Sequence, residues 1–170
     1  MSLDADVTLN LSGLDLAADK VRAGLSKGLR AVGFAIEEQA KHNVEAVDAI
    51  DTGMLRSSIY TQIEGEDGRP GAIASAKAAA DTEGKHSHEK GEFEEAEPEI
   101  EVSGDLEVKV GVAAAHGLPV ELGTISVGSH GGDEWGASKM QARPYLHPAV
   151  ETVQGKAQEA IGKYIAEEVA

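Results

Sequence analysis

Several histidine and carboxylate side chains in this sequence are of the kinds that hold metal ions or move protons in enzymes. His86, His88 and Glu89 form a close group, and imidazole nitrogens two positions apart can bind zinc or nickel weakly. The group falls in a polar stretch that lacks the rigid scaffold a metal site requires. We therefore interpret these residues as solvated loop side chains.

A second set of residues could form a carboxylate–imidazole site, and its members are His116, Glu121, His130 and Asp133. Their spacing does not match a helical metal motif such as His-Glu-x-x-His. The chain also lacks cysteine, a Gly-x-Ser-x-Gly nucleophile elbow and a phosphate-binding Gly-x-x-x-x-Gly-Lys-Ser/Thr loop. We predict no catalytic residue, no cofactor and no metal. A metal-dependent hydrolase that uses loop histidines stays open as the alternative of another class.

Two prolines near the end of the chain, Pro144 and Pro148, indicate a rigid approach to a helix. Proline restricts its own backbone and that of the preceding residue, and it suits the first turn of a helix, so we expect the helix to begin at Pro148. Tyr145 would anchor the approach in the core. Arg143 could pair with one of two carboxylates, Glu121 or Asp51. A structural lead-in is the preferred interpretation, and an interface role is the alternative.

Two amphipathic helices are predicted to position these segments. Residues 14–47 place apolar side chains three or four positions apart, at Val21, Leu25, Leu29, Val32, Ile36, Ala40, Val44 and Val47. From Pro148 onward a second stripe runs through Val150, Val153, Ala157, Ala160, Ile161, Tyr164, Ile165 and Val169. Three glycines in the first helix indicate either close packing or fraying, and they are Gly24, Gly28 and Gly33.

Strand patterns lie between the two helices. Residues 57–63 and 106–112 alternate apolar and polar side chains, and residues 99–103 are a candidate strand that would form a hairpin around Gly104-Asp105. Residues 125–140 are rich in Gly and Ser and are predicted to be a loop. The predicted fold class is α+β, in which the long N-terminal helix and the C-terminal helix pack on a small antiparallel β-sheet.

One stretch, residues 64–101, differs in composition from the remainder of the chain. It contains 12 acidic and 4 basic residues and few apolar ones. We predict a long, mobile acidic insertion between strands, with a short helix near residues 74–81. The chain of residues 1–170 is otherwise expected to form a single domain.

The overall composition limits the classes of function. The net charge of −15 argues against tight nucleic-acid binding, which depends on Lys and Arg neutralising phosphates, although it equally suits simple solubility. No apolar run is long enough to span a membrane, so no membrane contact is expected. The absence of cysteine and of a secretion-signal pattern favours assembly in a reducing cytoplasm.

Three segments resemble sequence motifs of a known family. Residues 51–59 (DTGMLRSSI) are similar to its DTGxLRxSI signature, residues 110–124 end in PVELGT where the family has a VEfGT-like motif, and residues 142–149 (ARPYLHPA) are similar to ARPFLRPA. The order of the three motifs along the chain and the predicted helices that flank them also agree with the pattern of that family. The chain thus resembles the phage neck and tail-component family typified by gene product ten of the Hong Kong lambdoid phage, over residues 14–63 and 105–170.

This resemblance implies a non-enzymatic virion protein of a tailed bacteriophage. It implies a tail-completion or neck component that forms a homo-oligomeric ring, expected to be a hexamer, at the head–tail junction around the DNA channel. A tail terminator or a head-closure ring protein is the structural alternative. Its partners would be neighbouring neck and tail proteins and passing genomic DNA, which it would not bind sequence-specifically. The motif residues expected to set backbone geometry and subunit contacts are Asp51, Thr52, Gly53, Leu55, Arg56, Glu121, Gly123, Thr124, Arg143, Pro144, Tyr145 and Pro148.

Overall fold

A computed structural model describes residues 12–49, 52–85, 88–97, 104, 106–126 and 138–170. The elements follow one another in this order: α1 (Ser12–Ala46), α2 (Met54–Ser57), β1 (Ile59–Ile63), β2 (Glu66–Asp67), α3 (Arg69–Ala80), β3 (Val108–Val112), α4 (Gly117–Leu122), β4 (Thr124–Ser126), β5 (Ser138–Met140) and α5 (Leu146–Val169). The predicted α+β class is confirmed. None of the helices in this part of the chain has the length and apolar content needed to cross a bilayer.

The central sheet is built on β1, which pairs antiparallel with β3 on one side and with the short β2 on the other. Ile59 lies opposite Val112, and Ile63 lies opposite Val108. Since side chains alternate across a strand, β1 and β3 each send one apolar row toward α1. The core cluster on this face contains Ile59, Val110 and Val112 together with α1 side chains, as the strand patterns predicted.

The two long helices pack antiparallel against each other, and two glycines of α1 allow their backbones to approach closely. A β-carbon at Gly24 would lie 2.6 Å from Ile165 Cα, and one at Gly28 would lie 2.8 Å from Ile161 Cα. The third glycine faces the sheet, because a β-carbon at Gly33 would lie 2.4 Å from Val108 Cγ2. Of the two interpretations of these glycines, close packing is the correct one.

The described part of the acidic stretch carries regular structure, unlike the mobile insertion that we predicted for residues 64–101. It contains β2 and the twelve-residue helix α3, which is longer than the short helix expected near residues 74–81. Three alanines on one side of α3 are buried, namely Ala72, Ala76 and Ala80. Ala72 joins a second core cluster with Tyr60 and Ala113, so α3 covers the sheet face opposite α1. The prediction of a mobile segment was wrong because it relied on the small number of large apolar residues. Alanine buries little area, yet it permits close packing of a helix on a sheet.

Other boundaries also differ from the sequence predictions. Residues 124–126 and 138–140 form a two-stranded β-hairpin stem where we predicted a loop. The C-terminal helix begins at Leu146 rather than at Pro148, because a carboxylate from elsewhere in the chain takes up its first free N–H groups. The candidate strand at residues 99–103 and Asp105 of its turn lie outside the described residues.

The glycine contacts generate a stability prediction. Gly24→Ala and Gly28→Ala should each lower the free energy of unfolding by about 1–3 kcal/mol, because the added methyl group meets backbone atoms of α5. Gly162→Ala in α5 is the matched control, since nothing lies within 4 Å of its added β-carbon. There the higher helix propensity of alanine should stabilise the protein by up to about 1 kcal/mol. Urea denaturation of the three variants would measure this, and stabilisation by all three would contradict the packing.

Candidate functional site

The carboxylate of Glu121, on α4, binds the N-terminus of α5. Its Oε2 accepts hydrogen bonds from the backbone N–H groups of Tyr145 (2.7 Å) and Leu146 (2.9 Å), and its Oε1 accepts one from His147 (2.9 Å). A helix leaves its first N–H groups without intrahelical partners, and the helix dipole favours a negative charge at that end. The side chain of Glu121 therefore caps the N-terminus of α5, although Glu121 belongs to another helix.

Tyr145 is the largest fully buried side chain of this region. Its hydroxyl donates a hydrogen bond of 3.1 Å to the carbonyl oxygen of Gly117, and burial raises its pKa well above the ordinary value. Its own carbonyl oxygen accepts a hydrogen bond of 2.9 Å from Asn43 of α1. A side chain at position 117 would collide with Val112, so glycine is required where the tyrosine ring passes. Tyr145 thus connects α1, α4 and α5.

The segment before α5 is held by backbone contacts rather than by a salt bridge. The Arg143 N–H donates to the carbonyl oxygen of Val120 (2.8 Å), and the Arg143 guanidinium donates to the carbonyl oxygen of Asp48 (3.1 Å). Glu121, which we considered as a partner of Arg143, is engaged by α5 instead. The other candidate, Asp51, lies outside the described residues. Pro144 is exposed, and Pro148 falls in the first turn of α5.

The first motif forms the turn between α1 and β1. Gly53 adopts a left-handed backbone (φ 85°) before α2, a conformation that glycine accepts without steric cost. Leu55 is buried in the core, while the exposed Arg56 pairs with Glu45 of α1 at 2.7 Å. The hydroxyl of Thr52 accepts a hydrogen bond from the N–H of Met54 at 3.4 Å. These residues set the direction in which the chain enters the sheet.

The end of the second motif makes a similar change of direction. Gly123, which ends α4, also has a positive φ of 74°, a conformation that favours glycine. Thr124 is the first residue of β4, where it lies opposite Met140. Gly123 therefore separates the helix that carries Glu121 from the hairpin stem.

All three motif segments meet in one core cluster, which we call the motif junction. It contains Leu55 from the first segment, Val112 and Val120 from the second, and Tyr145 and Ala149 from the third. The last two turns of α1 complete it with Ala40 and Val44. Segments up to about ninety residues apart in the sequence thus form one structural unit.

Sequence analysis missed three residues that hold the motif junction. Asn43 lies within the predicted first helix and Gly117 within the second motif segment, and the sequence patterns assign neither a role. Ser58 is fully buried, and its hydroxyl donates to the carbonyl oxygen of Leu55 at 2.8 Å. A polar residue at the apolar face of a helix or strand is a usable signal for such buried hydrogen bonds.

The candidate metal ligands are not brought together where the structure describes them. Both carboxylate oxygens of Glu121 already accept hydrogen bonds from backbone N–H groups at the start of α5. Within the described residues no group of three His, Asp or Glu side chains could hold a metal ion. His86, His130 and Asp133 fall outside the described part of the chain.

His116 directly precedes α4, in a partly buried position, and its side chain makes no capping hydrogen bond. Burial lowers its pKa below the ordinary value of 6.5, and the nearby Glu94 carboxylate acts in the opposite direction. The folded protein therefore holds this imidazole in its neutral form at pH values where a free histidine takes up a proton.

The capping interaction predicts a specific loss of stability. Glu121→Ala should lower the free energy of unfolding by about 2 kcal/mol or more, since three N–H groups lose a charged acceptor. Glu159→Ala, on the exposed side of α5, is the matched control and should have little effect. Thermal or urea denaturation would compare them, and equal stabilities would contradict the capping role.

The neutral state of His116 predicts a pH dependence. Because its folded pKa is lowered, its contribution to stability is full above pH 6.5 and is lost as pH falls through the folded pKa. His116→Gln should flatten this part of the profile, measured by urea denaturation from about pH 7.5 to 5. The unmodified protein, measured in parallel, is the reference. A profile that His116→Gln does not alter would contradict the prediction.

The chain was compared with known proteins at three levels. No protein-family model, no curated protein and no solved structure matches it. Its function is therefore inferred from its own residues and from the three motif segments.

Proposed function

We propose that this protein is a structural virion component of a tailed bacteriophage, a tail-completion or neck protein that forms a ring at the head–tail junction. It acts by holding neighbouring proteins in place around the DNA channel and not by catalysis. A tail terminator or a head-closure ring is the alternative position within the same structure. Its surroundings are the virion neck or tail, and assembly takes place in the host cytoplasm.

The observation that carries the proposal is the motif junction. The three segments that resemble the phage family are the segments that meet there, although the rest of the chain separates them. Their polar groups bind backbone atoms: Glu121 caps α5, Arg143 holds the end of α1, and Tyr145 binds Gly117. Residues used in this way shape a subunit, whereas a catalytic site would leave polar groups free toward a substrate.

The charge of the chain agrees with a position beside DNA. With a net charge of −15, its surface repels phosphates, so DNA can slide past without adhering. The described part of the acidic stretch is folded onto the sheet through α3, which places its charges at fixed positions on the subunit. Such a surface would let DNA pass and would not recognise its base sequence.

A deletion and complementation experiment tests the proposal. Phage that lack the gene should produce DNA-filled heads and separate tails, and wild-type protein supplied in trans should restore joined particles. Glu121→Ala should complement poorly, while the exposed control Glu159→Ala should complement fully. Electron microscopy and mass spectrometry of purified particles are the measurements.

The particle phenotype also distinguishes the alternatives. Tails of abnormal length would indicate a terminator, and heads that lose their DNA would indicate a head-closure protein. Infectious, joined particles that lack this polypeptide would overturn the proposal for all three positions.

A further inference from the structure

One side of α1 exposes apolar side chains near the middle of the helix. Residues 31–36 (AVGFAI) include no polar residue, so apolar groups surround this part of α1 completely. A helix that is apolar on all sides is normally buried. Yet Phe34 is 43% exposed, and Ala35 next to it is exposed as well. The guanidinium of Arg30 lies 5.6 Å from the centre of the Phe34 ring and leaves much of that ring in contact with solvent.

Charged residues flank this apolar part on the same side of α1, and they follow a heptad spacing. Two adjacent rows run along the helix at intervals of seven residues, and seven residues make almost two helical turns. One row contains Lys20, Lys27 and Phe34, and the other contains Ala31, Glu38 and Glu45. The four charged residues are all exposed. We call these six residues the α1 stripe, which is basic toward its N-terminal end and acidic toward its C-terminal end.

The α1 stripe is complementary to a copy of itself that runs in the opposite direction. When two stripes are laid antiparallel, the opposed pairs are Lys20 with Glu45, Lys27 with Glu38, and Ala31 with Phe34. All three pairs are centred on the same point, between positions 32 and 33. A two-fold axis at that point therefore forms every contact twice. In each pair, opposite charges face each other or a small side chain faces a large one.

The ion pairs that already exist within the subunit leave this pattern available. Lys27 pairs with Glu168, and Glu45 pairs with Arg56, but the side chains of Lys27 and Glu45 remain 58% and 45% exposed. Exposed pairs of this kind are weak. The other two charged residues of the stripe make no ion pair within the described part of the chain, and these are Lys20 and Glu38. Each opposed pair thus joins one unpaired charge to one that is held weakly.

A hollow of about 360 Å³ lies at the acidic end of the α1 stripe, between α1 and Arg56 of α2. Phe34 forms part of its lining, and three carboxylates line it together with the two cations Lys41 and Arg56. The hollow therefore carries an excess of negative charge when its histidine is neutral. In the antiparallel arrangement, residues 20–27 of the second copy lie over this hollow, so their lysine side chains would approach its carboxylates.

We propose that two copies of this protein pair through their α1 stripes, antiparallel, about a two-fold axis near positions 32 and 33. Phe34 of each copy packs against Ala31 of the other, and the lysines of each copy face the glutamates of the other. The partner is a second copy because one surface supplies both members of every opposed pair. The inference goes beyond the proposed function, since a contact of this symmetry closes after two copies and does not build a ring.

A mixing experiment tests the charge pattern. Lys20→Glu/Lys27→Glu makes all charges of the stripe negative, and Glu38→Lys/Glu45→Lys makes them all positive. In sedimentation velocity experiments the unmodified protein should be a dimer and each variant alone a monomer. An equimolar mixture of the two variants should form a dimer again, because every opposed pair is then attractive. The controls Lys77→Glu/Lys90→Glu and Glu92→Lys/Glu97→Lys change exposed residues of the acidic stretch and should remain dimeric.

Circular dichroism would verify that the variants are folded. A monomeric unmodified protein would overturn the proposal, and so would stripe variants that dimerise alone or a mixture of folded variants that stays monomeric.

Single cysteines test the antiparallel direction, since the natural chain contains no cysteine. In Ala31→Cys, the two thiols lie near the two-fold axis, offset by about 5 Å along the helices, so a short bismaleimide should produce a covalent dimer. The control Ala23→Cys is exposed on the same helix, but its two thiols lie about 28 Å apart along the helices and should not be linked. Linkage of both variants would indicate parallel helices, and linkage of neither would indicate another contact. Either result would contradict the proposal.

These outcomes are separate from those that test the virion role. A dimer formed through α1 by a protein that is absent from phage particles would retain this contact and remove the proposed function. A protein that is present in particles but is monomeric in solution would retain the function and lose this contact.

Discussion

The start of α5 depends on the carboxylate of Glu121. It accepts hydrogen bonds from three successive N–H groups, which a helix otherwise leaves without intrahelical partners. This contact holds Tyr145 in its buried position, and from there α5 runs back along α1. The glycines of α1 then determine how closely the two helices approach. One side chain from a six-residue helix thus fixes where a helix of twenty-four residues begins.

The acidity of the chain is unevenly distributed, and this distribution has structural causes. Arg69, largely buried between α3 and the following segment, pairs with Glu95 and donates to the carbonyl oxygen of Ala96. That pairing holds a carboxylate-rich segment against the sheet instead of leaving it free. Two basic residues of α1, Lys27 and Arg30, pair with Glu168 and Glu66. Carboxylates of other segments thus offset part of the basic charge of α1.

Sequence patterns predicted the main helices and strands because long apolar periodicities dominate local structure. The stripe from Val21 to Val47 and the alternation from Leu106 to Val112 both correspond to elements that face one core. The patterns predicted only a short helix where α3 lies, because its buried side is made of alanines. They could not reveal the capping of α5 by a residue that lies 25 positions earlier in the chain. Arg143 shows the same limit: its partner is a backbone carbonyl, which carries no signal in the sequence.

The three glycines of α1 have a consequence for how such a chain can evolve. Gly24 and Gly28 face α5, while Gly33 faces Val108 of the sheet. Within ten residues, α1 is therefore closely packed on two different sides. Insertion or deletion of one residue between Gly28 and Gly33 would rotate the side that faces α5 relative to the side that faces the sheet by about 100°. These positions therefore disfavour both side chains larger than glycine and changes of length between them. Length variation among descendants of this protein should therefore be confined to its connections and chain ends.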